Sequence, residues 1–355
     1  MAEKHRYWSS RLDGMEPYVP GEQPKDRRYI KLNTNENPYP PSPKVLEAAR
    51  AAVSADLRLY PDPEASALRR TLAAAYGLQP QQIFVGNGSD EVLAMSYLAF
   101  IGGEKPAVFP DVTYSFYPVY AALFHNACRI VPLRADFTMP LEELCRNDGC
   151  VILTNPNAPT GIALPLSDVE RILQGNPDQV VIVDEAYVDF GTESAVPLVD
   201  RYENLLVIQT FSKSRSLAGL RIGFAFGCEN LIQALNSVKN SFNSYTLDRV
   251  AMAAAQAAVE DAAYFEETRH RIMATRERTA ARLRELGFTV LPSRSNFLFA
   301  SHGEKPAREL FTQLKARGIL VRYFDKPRID NFLRITVGTD AEMDALLETL
   351  KELTA

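Results

Sequence analysis

The sequence predicts an α/β fold in which a large domain with a mostly parallel central sheet precedes a smaller α+β domain. Two observations carry that expectation. From Ile83 onward, short apolar runs alternate with amphipathic stretches, the signature of βαβ units and a largely parallel sheet. After a polar helical stretch over 247–286 the rhythm changes, and strands cluster with only two helices among them. The 355 residues are 46% apolar and 23% charged, an ordinary globular composition long enough for a large core.

Taken in order, residues 1–42 are rich in Pro and Asn with little periodicity and read as an extended arm contributing to the small domain and to a dimer. Helical periods follow at 43–55 and 64–76. Strands are expected at 83–85, 106–109, 128–132, 151–154, 180–183, 205–209 and 222–227, with helices at 89–101, 114–123 and 166–173 between them. These place a large domain at 43–247. The stretch 247–286 has a charge-dense middle (Glu266, Glu267, Arg269, His270, Arg271) and reads as one long exposed helix joining two bodies. A small domain over 248–355 then carries strands at 288–291, 297–300, 319–322 and 332–337 and helices at 306–317 and 341–354.

A net charge of −5 argues against a nucleic-acid surface. Cys128, Cys145, Cys150 and Cys228 form no CxxC pair, and His5, His125, His270 and His302 do not cluster with them. Neither a metal site nor a disulfide framework is expected, and the thiols read as reduced and mostly buried. The first 28 residues are charged and interrupted by Pro17, Pro20 and Pro24, unlike a signal peptide. No apolar run is long enough for a membrane span, so a cytoplasmic location is expected.

The chemistry concentrates at 211–223. Lys213 sits among small hydroxyl residues just beyond the apolar run Leu205-Leu206-Val207-Ile208, and Arg221 follows eight positions later between glycines. A lysine at a strand end can lose hydration and become a carbonyl-attacking amine, while a nearby arginine suits a phosphate. Together they point to pyridoxal 5'-phosphate.

Other strand ends supply candidates, each with a plainer alternative. Asp184 could pair with a protonated pyridine nitrogen or simply cap the next segment. Asn157, with Tyr187, could donate to a ring hydroxyl, or serve only the turn chemistry of its Asn-Pro surroundings. Ser89 and Asp90 open a helix after Gly86-Asn87-Gly88, where backbone N–H groups suit a phosphate or merely an ordinary cap. Tyr114 could stack on a flat ring or pack inside. Tyr60 is a phosphate contact or a turn tyrosine. Arg334 and Arg322 interrupt predicted strands, as a charge does when it faces a ligand or a solvated side.

Assembled, these residues resemble the fold-type I pyridoxal-phosphate aminotransferases, and most closely the histidinol-phosphate aminotransferases among them. The matching pieces span almost the whole chain, from Leu32-Asn33-Thr34-Asn35-Glu36-Asn37-Pro38 through Tyr60-Pro61-Asp62 and Asp184-Glu185-Ala186-Tyr187 to Leu333-Arg334. The resemblance implies Lys213 as the Schiff-base lysine and proton carrier, and Asp184 on the pyridine nitrogen. It implies Asn157 and Tyr187 on the ring oxygen, Tyr114 on the ring face, and Ser89, Ser212, Arg221 and the Asp90 backbone on the phosphate. Tyr60 would reach the phosphate of a partner subunit, making a homodimer. Arg334, assisted by Arg322, would grip both the phosphate of histidinol phosphate and the carboxylate of glutamate, with Tyr18, Asn35 and Tyr245 near the substrate. Ala158 departs from the second asparagine common in relatives. An aromatic-amino-acid aminotransferase or a threonine-phosphate decarboxylase would share fold and cofactor; a non-catalytic cofactor-sensing regulator would need a DNA-binding extension, for which the arm before Asn33 is too short.

Overall fold

The computed structural model describes residues 7–355; His5 and the first six positions of the arm lie outside them. In chain order the elements are β1 (Ile30–Lys31), α1 (Pro43–Ala52), α2 (Ser66–Tyr76), β2 (Ile83–Gly86), α3 (Gly88–Phe100), β3 (Ala107–Pro110), α4 (Phe116–Phe124), β4 (Cys128–Val131), α5 (Leu141–Leu144), β5 (Cys150–Thr154) and α6 (Leu166–Gly175). There follow β6 (Val181–Asp184), β7 (Leu205–Thr210), β8 (Gly223–Gly227), α7 (Glu229–Phe242), α8 (Arg249–Glu260), α9 (Ala262–Glu285), β9 (Phe288–Val290), β10 (Phe297–His302), α10 (Ala307–Ala316), β11 (Ile319–Leu320), β12 (Arg322–Tyr323), β13 (Leu333–Thr336) and α11 (Asp340–Thr354).

The central sheet has seven strands in the order β2-β8-β7-β6-β5-β3-β4, and β8 alone runs against its neighbours. Alternation along its strands separates two cores. Val151, Leu153, Val181, Val183, Leu205 and Val207 face one, with α1, α2 and α8 over it. Cys150, Ile152, Ile182, Leu206 and Ile208 face the other, under α3, α4 and α7. Burial on both faces is what lets the middles of β5, β6 and β7 be apolar on both sides. The register sets Thr154 beside Asp184 and Asp184 beside Ile208, so the ends of β5, β6 and β7 share one edge. That carboxyl edge is where open α/β sheets bind ligands.

A second body holds the antiparallel sheet β12-β13-β10-β9 with α9, α10 and α11 packed on it. The arm joins this body: β1 pairs in parallel with β11, and Leu32 enters the same core. Helix ends follow local chemistry. Ser42 caps α1 ahead of Pro43, Asp248 caps α8 through the Ala251 N–H, and Thr339 with Glu342 forms a capping box on α11.

Two expectations are corrected here. The single long helix over 247–286 is two, broken at Asp261, whose carboxylate takes the Lys44 ammonium at 2.8 Å. The first, α8, packs its alanine face (Ala251, Ala254, Ala255, Ala258) into the large core rather than standing exposed. Of the four free thiols only Cys150 is buried, pushed up to about 12 by loss of hydration; Cys128 is exposed and the other two are intermediate. Among the described residues no His, Cys, Asp and Glu group could hold a metal. No helix among them is long and apolar enough to cross a membrane.

Candidate active site

The cleft at the carboxyl edge of the central sheet is closed on its other side by the arm and by β12 and β13. Its lining includes Tyr18, Asn35, Ser89, Asp90, Tyr114, Asp184, Tyr187, Ser212, Lys213, Arg221, Arg322 and Arg334, twelve of the candidate site residues expected from sequence. Four cationic groups, on Lys213, Arg221, Arg322 and Arg334, face two carboxylates, on Asp90 and Asp184. The surplus suits a ligand with more than one negative group.

Lys213 lies just past β7. Its amine donates to the Thr34 carbonyl at 3.0 Å. Loss of hydration, then the Arg334 charge, brings its pKa down to about 8. The peptides around it are fixed from outside: the Asn37 amide donates to the Lys213 and Ser214 carbonyls at 3.1 and 3.0 Å, and Ser214 Oγ donates to Asp189.

Asp184 ends β6, 3% exposed, and accepts from Tyr117 Oη at 2.9 Å and from the Ala186 N–H at 3.1 Å. Burial outweighs these bonds and raises it to about 6, the mark of a carboxylate that a cationic partner would stabilise. In the turn that follows, Tyr187 is buried with its oxygen accepting from Asn35 Nδ2 at 2.9 Å. Its hydroxyl proton remains to be donated.

The opposite end of the cleft is a cup. Helix α3 begins at Gly88, presenting its first N–H groups toward Ser212 and Arg221. Two glycines allow the closeness. A Cβ on Gly223 would lie 2.2 Å from Ser89 N, and one on Gly88 (φ +80°) 2.6 Å from Arg221 Nη2. Arg221, itself at φ 53°, bonds Asp90 Oδ2 at 3.0 Å and reaches Ser212 Oγ at 3.4 Å. Tyr114 Oη donates to Asp90 Oδ1 at 2.8 Å, and burial with that carboxylate raises its pKa.

Arg334, on β13, is sandwiched between the Phe297 and Phe324 rings, each 5.5 Å from its guanidinium carbon. Nη2 donates to the Asn33 carbonyl at 3.0 Å, but Nε is buried without a partner. An orphaned guanidinium donor at a cleft wall is a vacancy for an acceptor.

Three sequence expectations, those for Asn157, Arg322 and Tyr245, meet a different geometry. Asn157 does not offer a free donor: its Nδ2 is engaged by the Val112 carbonyl and Thr160 Oγ1, both at 3.0 Å, while Oδ1 has no partner. Arg322 lines the cleft, yet its guanidinium donates to the Val19 and Pro20 carbonyls at 3.2 and 3.4 Å and so holds the arm. Tyr245 lies outside the cleft, stacked on Tyr60 with centroids 4.5 Å apart. Tyr60 is 77% exposed and does not line its own chain's cleft. Tyr18 stacks on Phe116 at 4.2 Å. Sequence reading passed over Tyr117 as a partner of Asp184; its spacing of three from Tyr114 at the start of a helix was the available signal. The Thr34 carbonyl that receives the lysine had no signal at all, being backbone.

The family of aminotransferases class I and II has a sequence profile that matches residues 27–350. The chain belongs to that family. It is 55% identical over 350 residues to the histidinol-phosphate aminotransferase of Clostridium acetobutylicum, covering 99% of each chain. To that of Acinetobacter baumannii it is 56% identical over 350 residues, covering 98% of this chain and 97% of the other. Among solved structures it resembles the histidinol-phosphate aminotransferase from Sinorhizobium meliloti in complex with pyridoxal-5'-phosphate, with a TM-score of 0.89, 28% identity and 98% of both chains covered. The chain is thus a histidinol-phosphate aminotransferase relative of fold type I.

The donor set fits that cofactor. The glycine-lined cup at the start of α3 suits a phosphate, the under-compensated Asp184 suits a pyridinium, and a lysine already near neutrality stands between them.

Proposed function

We propose that this enzyme moves an amino group between histidinol phosphate and 2-oxoglutarate, giving imidazole acetol phosphate and glutamate, as a step of L-histidine biosynthesis. The observation that carries the reading is the placement of Lys213, with its pKa brought down to about 8, between the cup and the Arg334 guanidinium.

When bound, pyridoxal phosphate supplies a carbonyl carbon for the amino group and a ring that withdraws electrons from the substrate Cα. Ser89, Ser212, Arg221 and the Asp90 N–H hold its phosphate. Asp184 keeps the ring nitrogen protonated, and Tyr117, donating to Asp184, favours the ionised carboxylate that does so. Tyr187, oriented by Asn35, gives its hydroxyl proton to the ring oxygen. Tyr114 covers one face of the ring. Asn157, its Nδ2 donating to the Val112 carbonyl, braces the loop carrying Tyr114 beside the ring.

Lys213 Nζ would be the group that carries the proton removed from the substrate Cα. A neutral amine is required, which burial and Arg334 provide. Arg334 grips the anionic tail of either substrate, the phosphate of one and the carboxylate of the other, through its unpartnered Nε and an adjacent Nη. Arg322 closes the arm, and with it Tyr18, over that tail.

The active unit is a homodimer. Leu46, Val53, Leu57, Leu59, Tyr60 and Phe242 are exposed apolar side chains, a surface suited to a second copy of the chain. Tyr60 of the partner subunit completes the cup. Arg249 fixes the Tyr60 carbonyl at 2.7 Å and Lys239 that of Pro63 at 2.7 Å, which sets the loop's projection.

The test is a half-reaction screen on purified, cofactor-loaded protein, following the shift in cofactor absorbance. Histidinol phosphate should give the highest kcat/KM, above phenylalanine. Preference for phenylalanine would overturn the substrate assignment, and carbon dioxide release from threonine phosphate would mark a decarboxylase.

A further inference from the structure

Asp90 is a carboxylate inside a cup built for an anion. It stands in the first turn of α3, with its main-chain carbonyl pinned by Tyr120 Oη at 2.9 Å. One side-chain oxygen lies 3.0 Å from Arg221 Nη2 and the other accepts from Tyr114 Oη at 2.8 Å. The other side-chain and main-chain contacts of Arg221, to Ser212 Oγ and the Ala218 carbonyl, are both long at 3.4 Å. Asp90 is therefore its strongest partner. The guanidinium rests against Gly88, where even a Cβ would come within 2.6 Å, so it has little freedom to turn elsewhere.

An acidic residue in a first helical turn is ordinarily read as a complement to the helix dipole. That role needs no second bond to an arginine and none to a tyrosine on another element. Here the carboxylate ties together Arg221, from the loop before β8, and Tyr114, from the loop before α4. It also places a negative charge where a phosphate between Ser89, Ser212 and Arg221 must come close to it.

We propose that the Asp90 carboxylate is a resident counter-ion for Arg221, which holds the cup in shape before the cofactor arrives and which the cofactor phosphate must displace from the guanidinium. Two consequences follow. The empty cup keeps its arginine and its stacking tyrosine in position. Phosphate affinity is lower than the cup could offer, because Arg221 is already half neutralised and a like charge remains beside the incoming anion. Once phosphate takes Arg221, Asp90 keeps Tyr114 as its partner, so the same carboxylate links filling of the cup to the orientation of the ring that covers the cofactor. The inference rests on the pyridoxal-phosphate reading of the site.

The experiment is equilibrium binding of inorganic phosphate, and separately of pyridoxal phosphate, to cofactor-free protein by calorimetry. It compares the parent with Asp90→Asn and Asp90→Ser. Removing the charge should tighten both ligands by roughly fivefold to tenfold at low salt, allowing for a pair that is partly exposed. The gain should shrink at high ionic strength. Unchanged or weaker binding in a variant with the parent's circular dichroism would overturn the counter-ion. So would loss of the native spectrum in both variants, which would make Asp90 a requirement of α3 itself. Failure of the parent to bind pyridoxal phosphate at all would instead overturn the cofactor reading.

Discussion

Lys213 is held where a charged amine is poorly hydrated and faces Arg334. Its folded-state pKa, about 8, lies below that of an unfolded lysine, so between those values the unfolded chain binds more protons. The stability this residue contributes is present above about pH 10.5 and lost as pH falls through about 8. At neutral pH it therefore costs on the order of 2 kcal/mol, after discounting for its open side toward the cleft. Lys213→Met should abolish transamination. It should also raise the urea midpoint of cofactor-free protein at pH 7, with a stability gain of roughly 1–2 kcal/mol that disappears near pH 10. A midpoint that falls at pH 7 would contradict that account. Chemical labelling of the Lys213 amine in cofactor-free protein should rise with pH around a midpoint near 8. Arg334→Gln removes a cation and should move that midpoint to higher pH.

At the scale of elements, the joint between β8 and the start of α3 is the tightest part of the site. Gly223→Ala sets a Cβ against backbone, 2.2 Å from Ser89 N and 2.3 Å from Gly88 C, and backbone cannot swing aside as a side chain can. We expect a loss of several kcal/mol in stability, of order 2–4, with much weaker cofactor binding. Gly219→Ala, with nothing within 4 Å, should leave both within error, as thermal melts and cofactor titration would report. Much of this layout was legible beforehand. Strands β5, β6 and β7 are apolar along most of their buried length, with the polar Thr154, Asp184, Gln209 and Thr210 confined to their carboxyl ends, and the residues just past them (Asn157, Tyr187, Lys213) announce themselves by type. Helix α7 was passed over because Lys239, Asn236 and Asn240 interrupt its apolar period, and Lys239 is buried for a reason only tertiary structure shows, its bond to the Pro63 carbonyl. The break at Asp261 carries no Gly or Pro and depends on Lys44, far away in sequence. Two-residue strands such as β1 have no local signature, since their pairing partner is all that defines them.

For the whole molecule, the exposed apolar surface around Tyr60 and Phe242 sets the expected assembly. If the proposed dimer forms through this surface, a double substitution Leu57→Asp with Phe242→Asp should yield a monomer in analytical ultracentrifugation and weaken cofactor retention, because the proposed contribution of Tyr60 to the partner's cup would then be lost. A variant that stays dimeric, or a monomer that holds cofactor as tightly as the parent, would rule out the shared cup. Tyr60→Phe should weaken cofactor binding without changing the assembly.

The short pairing of β1 with β11 also bears on how the protein is made. The backbone N–H of Asn35 bonds Thr336 Oγ1, 301 residues away, and the Thr34 carbonyl beside it is what receives the Lys213 amine. The arm thus takes its place only once β11 and β13, far along the chain, have formed. Contacts so distant in the chain are slow to form. A chain whose central sheet has formed while its arm is still loose would present Lys213 to small aldehydes in solution, and pairing of the arm with β11 is the event that shields the lysine from adventitious carbonyls.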